Sequence, residues 1–233
     1  MNLNDAVTVV AGASGGIGRA VSQALLKAGA DVFMLGRSFV RLTEAVPPPA
    51  RGRAHCVAAD LSALEAVEHV AAEIAPRGRL HVLILSSGIY ARSDERDVFV
   101  DQIAANLLGP YALVRRLLPL LVKAQGQIVF MNSTQGLRAA AGIGQYAATK
   151  HALKAVADSL RDEVNPAGVR VLSIFLGRTA TEMQRAVFAA EGRPYQPEHL
   201  IQPDDVAGLI LSLLQLPRTS EVTDITLRPM RKT

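Results

Sequence analysis

Short apolar runs alternate with longer amphipathic stretches from one end of this 233-residue chain to the other. That rhythm calls for βα units around a parallel sheet, since each crossover between parallel strands needs a connection long enough to carry a helix. The runs predict strands over 6–12, 31–36, 54–60, 80–87, 126–133, 169–177 and 222–227. Helices are expected over 17–28, 38–45, 62–75, 97–123, 144–164 and 203–215. Parallel strands covered on both faces should be almost continuously apolar, and LHVLIL (80–85) and QIVFM (127–131) are. Three prolines at 47–49 stop the second helix early. With no linker, repeat or low-complexity segment, residues 1–233 are expected to form a single α/β domain.

Composition excludes several classes. Apolar residues make up 49% and charged ones 20%, ordinary for a globular chain with a real core. One cysteine, Cys56, leaves no disulfide framework or thiolate cluster, so a reduced, cytoplasmic setting is expected. The opening MNLNDAVTVVAG lacks a basic start and is expected to be a first strand, not a signal peptide. The apolar stretch AGLILSLLQL (207–216) is too short to span a bilayer. Net charge is +4, with both signs interspersed, and RRLLPLLVK (115–123) is the nearest thing to a basic stripe. It is spaced as an amphipathic helix, so no nucleic-acid partner is expected. The histidines at 55, 69, 81, 151 and 199 have no metal-ligand spacing. DERD at 94–97 is expected to be a solvated helix start.

The first strand runs into VVAGASGGIG (9–18), which places Gly12, Gly16 and Gly18 between a strand and a helix. Glycines there allow a tight turn and let a pyrophosphate approach the backbone, while the helix start offers unpaired N–H groups and the positive end of its dipole. The expected fold is accordingly a Rossmann-like, doubly wound parallel sheet that binds a dinucleotide. Selectivity rests on the end of the second strand, where an acid would bind the 2′-hydroxyl of NAD. The chain reads LGRS instead: Gly36, then Arg37 with donors for a 2′-phosphate and Ser38 with a hydroxyl. NADP is therefore preferred over NAD. Asp60, ending the third strand, is placed either to meet the adenine or to cap the next helix.

A second constellation lies later in the chain. Tyr146 and Lys150 are four residues apart in QYAATKHAL and share a helix face, and Ser133 ends a strand thirteen residues before the tyrosine. A free tyrosine has a pKa of about 10 and acid–base work needs about 7, a gap of about 4 kcal/mol. One nearby cation lowers a pKa by about 1 to 3, so Lys150 needs help from a second positive charge, such as an oxidised nicotinamide ring.

With these motifs together, the chain resembles the short-chain dehydrogenase/reductase family over nearly its whole length. The family's T-G-x-x-x-G-x-G appears as Ala11 to Gly18, with alanine for threonine. Its N-N-A-G corresponds to Leu85-Ser86-Ser87-Gly88, and its late P-G-x-x-x-T to Leu176-Gly177-Arg178-Thr179-Ala180-Thr181. The helix asparagine matches Asn106, and the serine and Y-x-x-x-K match Ser133, Tyr146 and Lys150. The resemblance implies that Tyr146 donates a proton, Ser133 holds the carbonyl oxygen, and Lys150 binds the nicotinamide ribose and lowers the tyrosine pKa. Asn106 would hold a water linking the lysine to solvent. Thr181 and the backbone at Thr179 would hold the nicotinamide amide, with further cofactor contacts at Ser14, Ile17, Leu61, Ser87, Gly88 and Gly177. The hydroxyls of Ser86 and Ser87 are expected to rebuild the support that the missing asparagines gave.

The expected function is NADP-dependent interconversion of a small carbonyl and its alcohol, favouring reduction. A catalytically silent NADP-binding regulator is the alternative, although such a protein would be expected to have lost the tyrosine or the lysine. A dehydratase or epimerase usually has a larger C-terminal substrate region than the roughly fifty residues after Thr181. Residues 182–202 are expected to be a variable substrate lid carrying Met183, Val187, Phe188 and Tyr195, opposite a wall at 135–144. That mixture suits a modest, mostly apolar carbonyl compound, though such residues would equally serve as core. The alanines at 147, 148, 152, 155 and 157 permit close helix approach, and the family resemblance implies a homodimer or homotetramer packed through this helix and the long one before it.

Overall fold

The computed structural model describes residues 1–91 and 96–231. Seven strands form one parallel sheet: β1 (Val7–Ala11), β2 (Asp31–Gly36), β3 (Arg53–Ala58), β4 (Val82–Leu85), β5 (Gln127–Ser133), β6 (Arg170–Leu176) and β7 (Asp224–Leu227). Their spatial order is 3-2-1-4-5-6-7, so the winding reverses between β1 and β4. Reversal leaves a crevice at the carboxyl ends of those two strands, because the helices that follow them cross to opposite faces.

Alternation within the strands feeds two cores. Val9 and Ala11 point to one face and Val10 to the other, and all three are fully buried. The first face is covered by α3 (Leu64–Ile74), α5 (Gly109–Ala124) and α6 (Gly144–Val164), and the second by α1 (Gly16–Lys27) and α8 (Pro203–Leu214). α2 (Phe39–Thr43) is short and ends before the prolines, with Leu42 its buried anchor.

Two expectations about helices need correction. The long helix predicted over 97–123 is divided into α4 (Arg96–Ile103), a π-helical turn at Ala104–Leu108, and α5. Two residues account for the break. A Cβ on Gly109 would lie 2.2 Å from the Leu61 carbonyl oxygen, so glycine lets the chain pass that close. Pro110 has no N–H to give to the Asn106 carbonyl four residues back. The DERD start expected for this helix involves residues outside those described. The second correction is α7 (Glu182–Ala190), a helix inside the stretch read only as variable. Thr181 caps it, its hydroxyl accepting the Gln184 N–H at 3.3 Å. Among the described residues no helix is long and apolar enough to cross a membrane.

Candidate active site

The crevice is built from backbone before any side chain enters it. Gly12 holds a φ of +79°, and a Cβ there would sit 2.8 Å from the Ser87 nitrogen. At Gly18 a Cβ would meet the Gly12 carbonyl oxygen at 2.2 Å and the Ser86 hydroxyl at 2.5 Å. Glycine at both positions lets the turn after β1 lie against the end of β4. Ser86 ties the two together by donating to the Ala11 carbonyl at 2.6 Å. The neighbouring Ser87 hydroxyl is buried without a partner and faces the crevice. Helix α1 opens after Gly15 with no side-chain cap, so its first N–H groups and positive dipole end are offered to an anion.

A groove of about 310 Å³ runs along this turn, lined by Gly12, Ser14, Gly16, Ile17, Gly18, Asp60, Leu61, Ser87, Gly88 and Thr181. At its far end stand Arg37, as expected, and Arg41, which the LGRS argument did not reach. Arg41 follows Arg37 by four residues, a spacing that could have drawn attention to it. Ser38 does not line the groove, because its hydroxyl accepts the Arg41 N–H as the cap of α2. Asp60 does not cap α3, whose N-cap is Ala63. Its carboxylate accepts from Ser62 N and Oγ at 3.0 and 2.7 Å, and those bonds, with Arg37 nearby, hold the carboxyl below its usual value.

Beyond Ser87, Gly88 and Thr181 the groove continues into a second cavity of about 280 Å³. Here Ser133, Tyr146 and Lys150 converge, with Gly177 and Thr179 on the far side. The serine hydroxyl hydrogen-bonds to the tyrosine, and also accepts the Gln135 N–H at 3.2 Å. The Lys150 ammonium donates to the Met131 carbonyl at 3.2 Å and stands 5.8 Å from the centre of the Tyr146 ring. Two asparagines hold these elements in place. Asn132, unremarked in the sequence, accepts from Ser133 N at 2.8 Å and donates to the Lys150 carbonyl at 3.1 Å, locking the end of β5 to α6.

Asn106 is fully buried and lines neither space. Its amide oxygen accepts the Ile89 N–H at 2.7 Å, while its nitrogen donates to the Ile89 carbonyl at 2.9 Å and to Thr149 Oγ1 at 3.1 Å. Thr149 donates in turn to the Tyr146 carbonyl at 2.8 Å. The side chain thus braces the loop after β4 against α6.

At the base of the stretch expected to be a lid, 182–202, Thr179 and Ile201 form a parallel bridge. Met183 and Val187 line the second cavity, facing Gln135, Ala140, Ala141 and Ile143. Phe188 and Tyr195 instead pack edge to face on each other, 5.7 Å apart, outside the cavity lining.

Known proteins share this fold. The family model for short chain dehydrogenase matches residues 6–192. An uncharacterized oxidoreductase of Staphylococcus epidermidis is 28% identical, with 98% of this chain and 99% of that one covered. Among solved structures, an alcohol dehydrogenase from the archaeon Thermococcus sibiricus, complexed with 5-hydroxy-NADP, superposes with a TM-score of 0.86 at 26% identity, covering 98% of each chain. A metagenomic short-chain oxidoreductase in complex with NADP gives 0.83 at 29% identity, covering 99% of this chain and 100% of that one. The chain belongs to the short-chain dehydrogenase/reductase family.

Membership makes the protein an oxidoreductase, and the electrostatics of its site say how the free chain is poised. Burial pushes the Tyr146 phenol up to about 12, against the lowering effect of the Ser133 hydrogen bond. Burial also pushes the Lys150 ammonium down to about 8. Desolvation is the largest cause of both shifts, and Lys150 is not among the groups that move the tyrosine. The lysine is turned towards Met131, so the free chain still lacks the second positive charge expected from a nicotinamide ring.

The buried lysine makes a prediction with a definite sign. Between its value of about 8 and the ordinary 10.5, the unfolded chain holds the extra proton, so stability should rise with pH. Urea midpoints measured from pH 8 up to the ordinary tyrosine value of 10.0, where Tyr146 starts to act in the opposite sense, should climb. They should climb less in Lys150→Met. Equal slopes in the two proteins would contradict a desolvated lysine.

Proposed function

We propose that this chain is an NADP-dependent oxidoreductase that interconverts a carbonyl and an alcohol by hydride transfer, working by preference as a reductase. The observation that carries the reading is one continuous path. A groove with two arginines at one end opens into the cavity where Ser133, Tyr146 and Lys150 converge. The residues fit the cofactor: an uncapped helix start, glycines that admit a close approach, and a buried Ser87 hydroxyl still lacking a partner. The NADP complexes of the Thermococcus and metagenomic enzymes support the same choice.

Gly12, Ser14, Gly16, Ile17 and Gly18 would hold the pyrophosphate, Arg37 and Arg41 the 2′-phosphate, and Asp60 and Leu61 the adenine. Ser87, Gly88, Gly177, Thr179 and Thr181 would hold the nicotinamide end. When bound, the cofactor supplies the hydride in reduction and accepts it in oxidation. Ser133 would then fix the carbonyl oxygen through its hydroxyl, and Tyr146 would pass its phenolic proton to that oxygen as the hydride arrives at carbon. Lys150 would bind the ribose and, once charged, stabilise the phenolate left behind. A water on the Asn106 carbonyl would return the proton from solvent. A cofactor-binding regulator would need neither the proton donor nor its serine, and both line the cavity.

Cofactor choice and turnover test the reading together. NADPH should bind more tightly than NADH by about 1 to 3 kcal/mol, the worth of a charge-assisted hydrogen bond, and Arg37→Ala should remove most of that difference. Tyr146→Phe should abolish turnover and leave NADPH binding nearly intact. Equal affinity for the two cofactors would sink the NADP assignment, and near-normal turnover without the phenol would sink the mechanism.

A homodimer or homotetramer completes the proposal. Val100, Leu108 and Tyr111 are exposed along the α4–α5 segment, and Ala148 and Ala155 lie on the outer side of α6. Apolar side chains and small residues on adjoining faces suit close packing between copies. Light scattering at micromolar concentration should give a multiple of 24.8 kDa, and a mass at that value would refute the interface.

A further inference from the structure

The second cavity carries an arginine that hydride transfer does not use. Arg178 follows Gly177 at the end of β6, and both it and Glu191 line the cavity. Its Nη2 donates to both oxygens of the Glu191 carboxylate, at 2.9 Å each. A guanidinium that meets a carboxylate in the strong paired geometry spends two nitrogens on it. Here one nitrogen does both, and Nη1 is left buried without a partner. The guanidinium carbon stands 4.6 Å from the centre of the Phe188 ring, which fixes the plane of the group.

Charge is also in excess. Glu191 accepts a second guanidinium, Arg193 Nη1, at 3.2 Å, so two positive charges share one carboxylate. Buried polar groups are otherwise nearly always satisfied, and an unpartnered charged donor in a cavity wall is the kind of exception that a ligand removes. Gln135 and Gln184 line the same cavity, each with a buried amide oxygen lacking a partner. The wall thus carries polar side chains beside the apolar Met183 and Val187.

We propose that the substrate is an oxo acid, whose carboxylate is taken by Arg178 Nη1 while Ser133 and Tyr146 take its carbonyl oxygen. The proposal rests on the oxidoreductase reading of this same site. A carboxylate fits better than a phosphate because Arg178 offers one unpartnered guanidinium nitrogen, and a phosphate would bring up to two negative charges.

The test compares 3-oxobutanoate, 4-oxopentanoate and 5-oxohexanoate with their methyl esters as substrates for NADPH oxidation. At least one acid should exceed its own ester in kcat/KM by about tenfold or more, a fully formed ion pair's effect. Arg178→Met should lower that acid-to-ester ratio by about tenfold. Glu191→Gln should raise it, because it frees the guanidinium, whereas a purely structural clasp between the two residues would make both variants worse. Glutarate binding to the NADPH complex, measured by calorimetry, should weaken in Arg178→Met and strengthen in Glu191→Gln. If every ester is reduced as well as its acid, the oxo-acid assignment falls and hydride transfer stands. If glutarate binds through Arg178 but no compound is reduced, the carbonyl-reductase reading of this cavity falls and the carboxylate site stands. Glutarate binding indifferent to Arg178→Met would overturn the site itself.

Discussion

At the ends of β1 and β4 the backbone packs so tightly that no side chain fits between the turn and its neighbours. Added Cβ atoms at Gly12 and Gly18 would fall 2.8 and 2.2 Å from main-chain atoms. Everything in the site hangs from that contact. It sets the direction of α1, brings the uncapped helix start over the crevice, and fixes where Ser87 and Gly88 emerge. The Ser86 hydroxyl on the Ala11 carbonyl ties the seam from the side-chain level, and serine is short enough to do so without widening the gap.

A second set of bonds converts that seam into a reaction site. The loop leaving β4 is gripped at Ile89 by Asn106, which reaches Tyr146 through Thr149, and β5 is gripped at Ser133 by Asn132, which reaches Lys150. Both braces act on backbone groups of α6, so the phenol and the ammonium are positioned by a helix that cannot slide. The cost of this burial is electrostatic. Each ionisable group is driven towards its neutral form, the tyrosine up to about 12 and the lysine down to about 8. A free chain in this state is a poor acid, and in the proposed mechanism the positive charge that lowers the phenol's pKa arrives with the cofactor.

Much of this was legible in the residues, and the reasons for the misses are specific. The central strands, buried on both faces, announce themselves as apolar runs; the partly exposed edge strands β3 and β7 were found as well, although β4 and β7 are shorter than their runs. Glycines placed between strand and helix revealed the turn, because their spacing has a steric meaning that the structure bears out. The interruption at 104–108 was missed because the apolar periodicity continues through it, and only Pro110 with Gly109 hinted that the hydrogen bonding does not. The roles of Asn106 and Asn132 as braces depend on partners seventeen and eighteen residues away, which no local pattern reveals. Ser38 looked like a phosphate ligand from its position but is spent as a helix cap. The Arg178–Glu191 contact spans thirteen residues across the lid, and its single-nitrogen geometry is visible only in three dimensions.

The central claim is that the Tyr146 phenol, neutral in the free chain, becomes an acid of useful strength only when a positive charge is brought beside it. Ultraviolet titration of the phenolate band, taken as the difference between the unmodified protein and Tyr146→Phe, measures that ionisation directly. Without cofactor the phenolate midpoint should lie at about 12. With saturating oxidised NADP its midpoint should move to lower pH by about 1 to 3, the effect of the single nicotinamide charge. A midpoint that stays at the same pH with and without the cofactor would contradict the account.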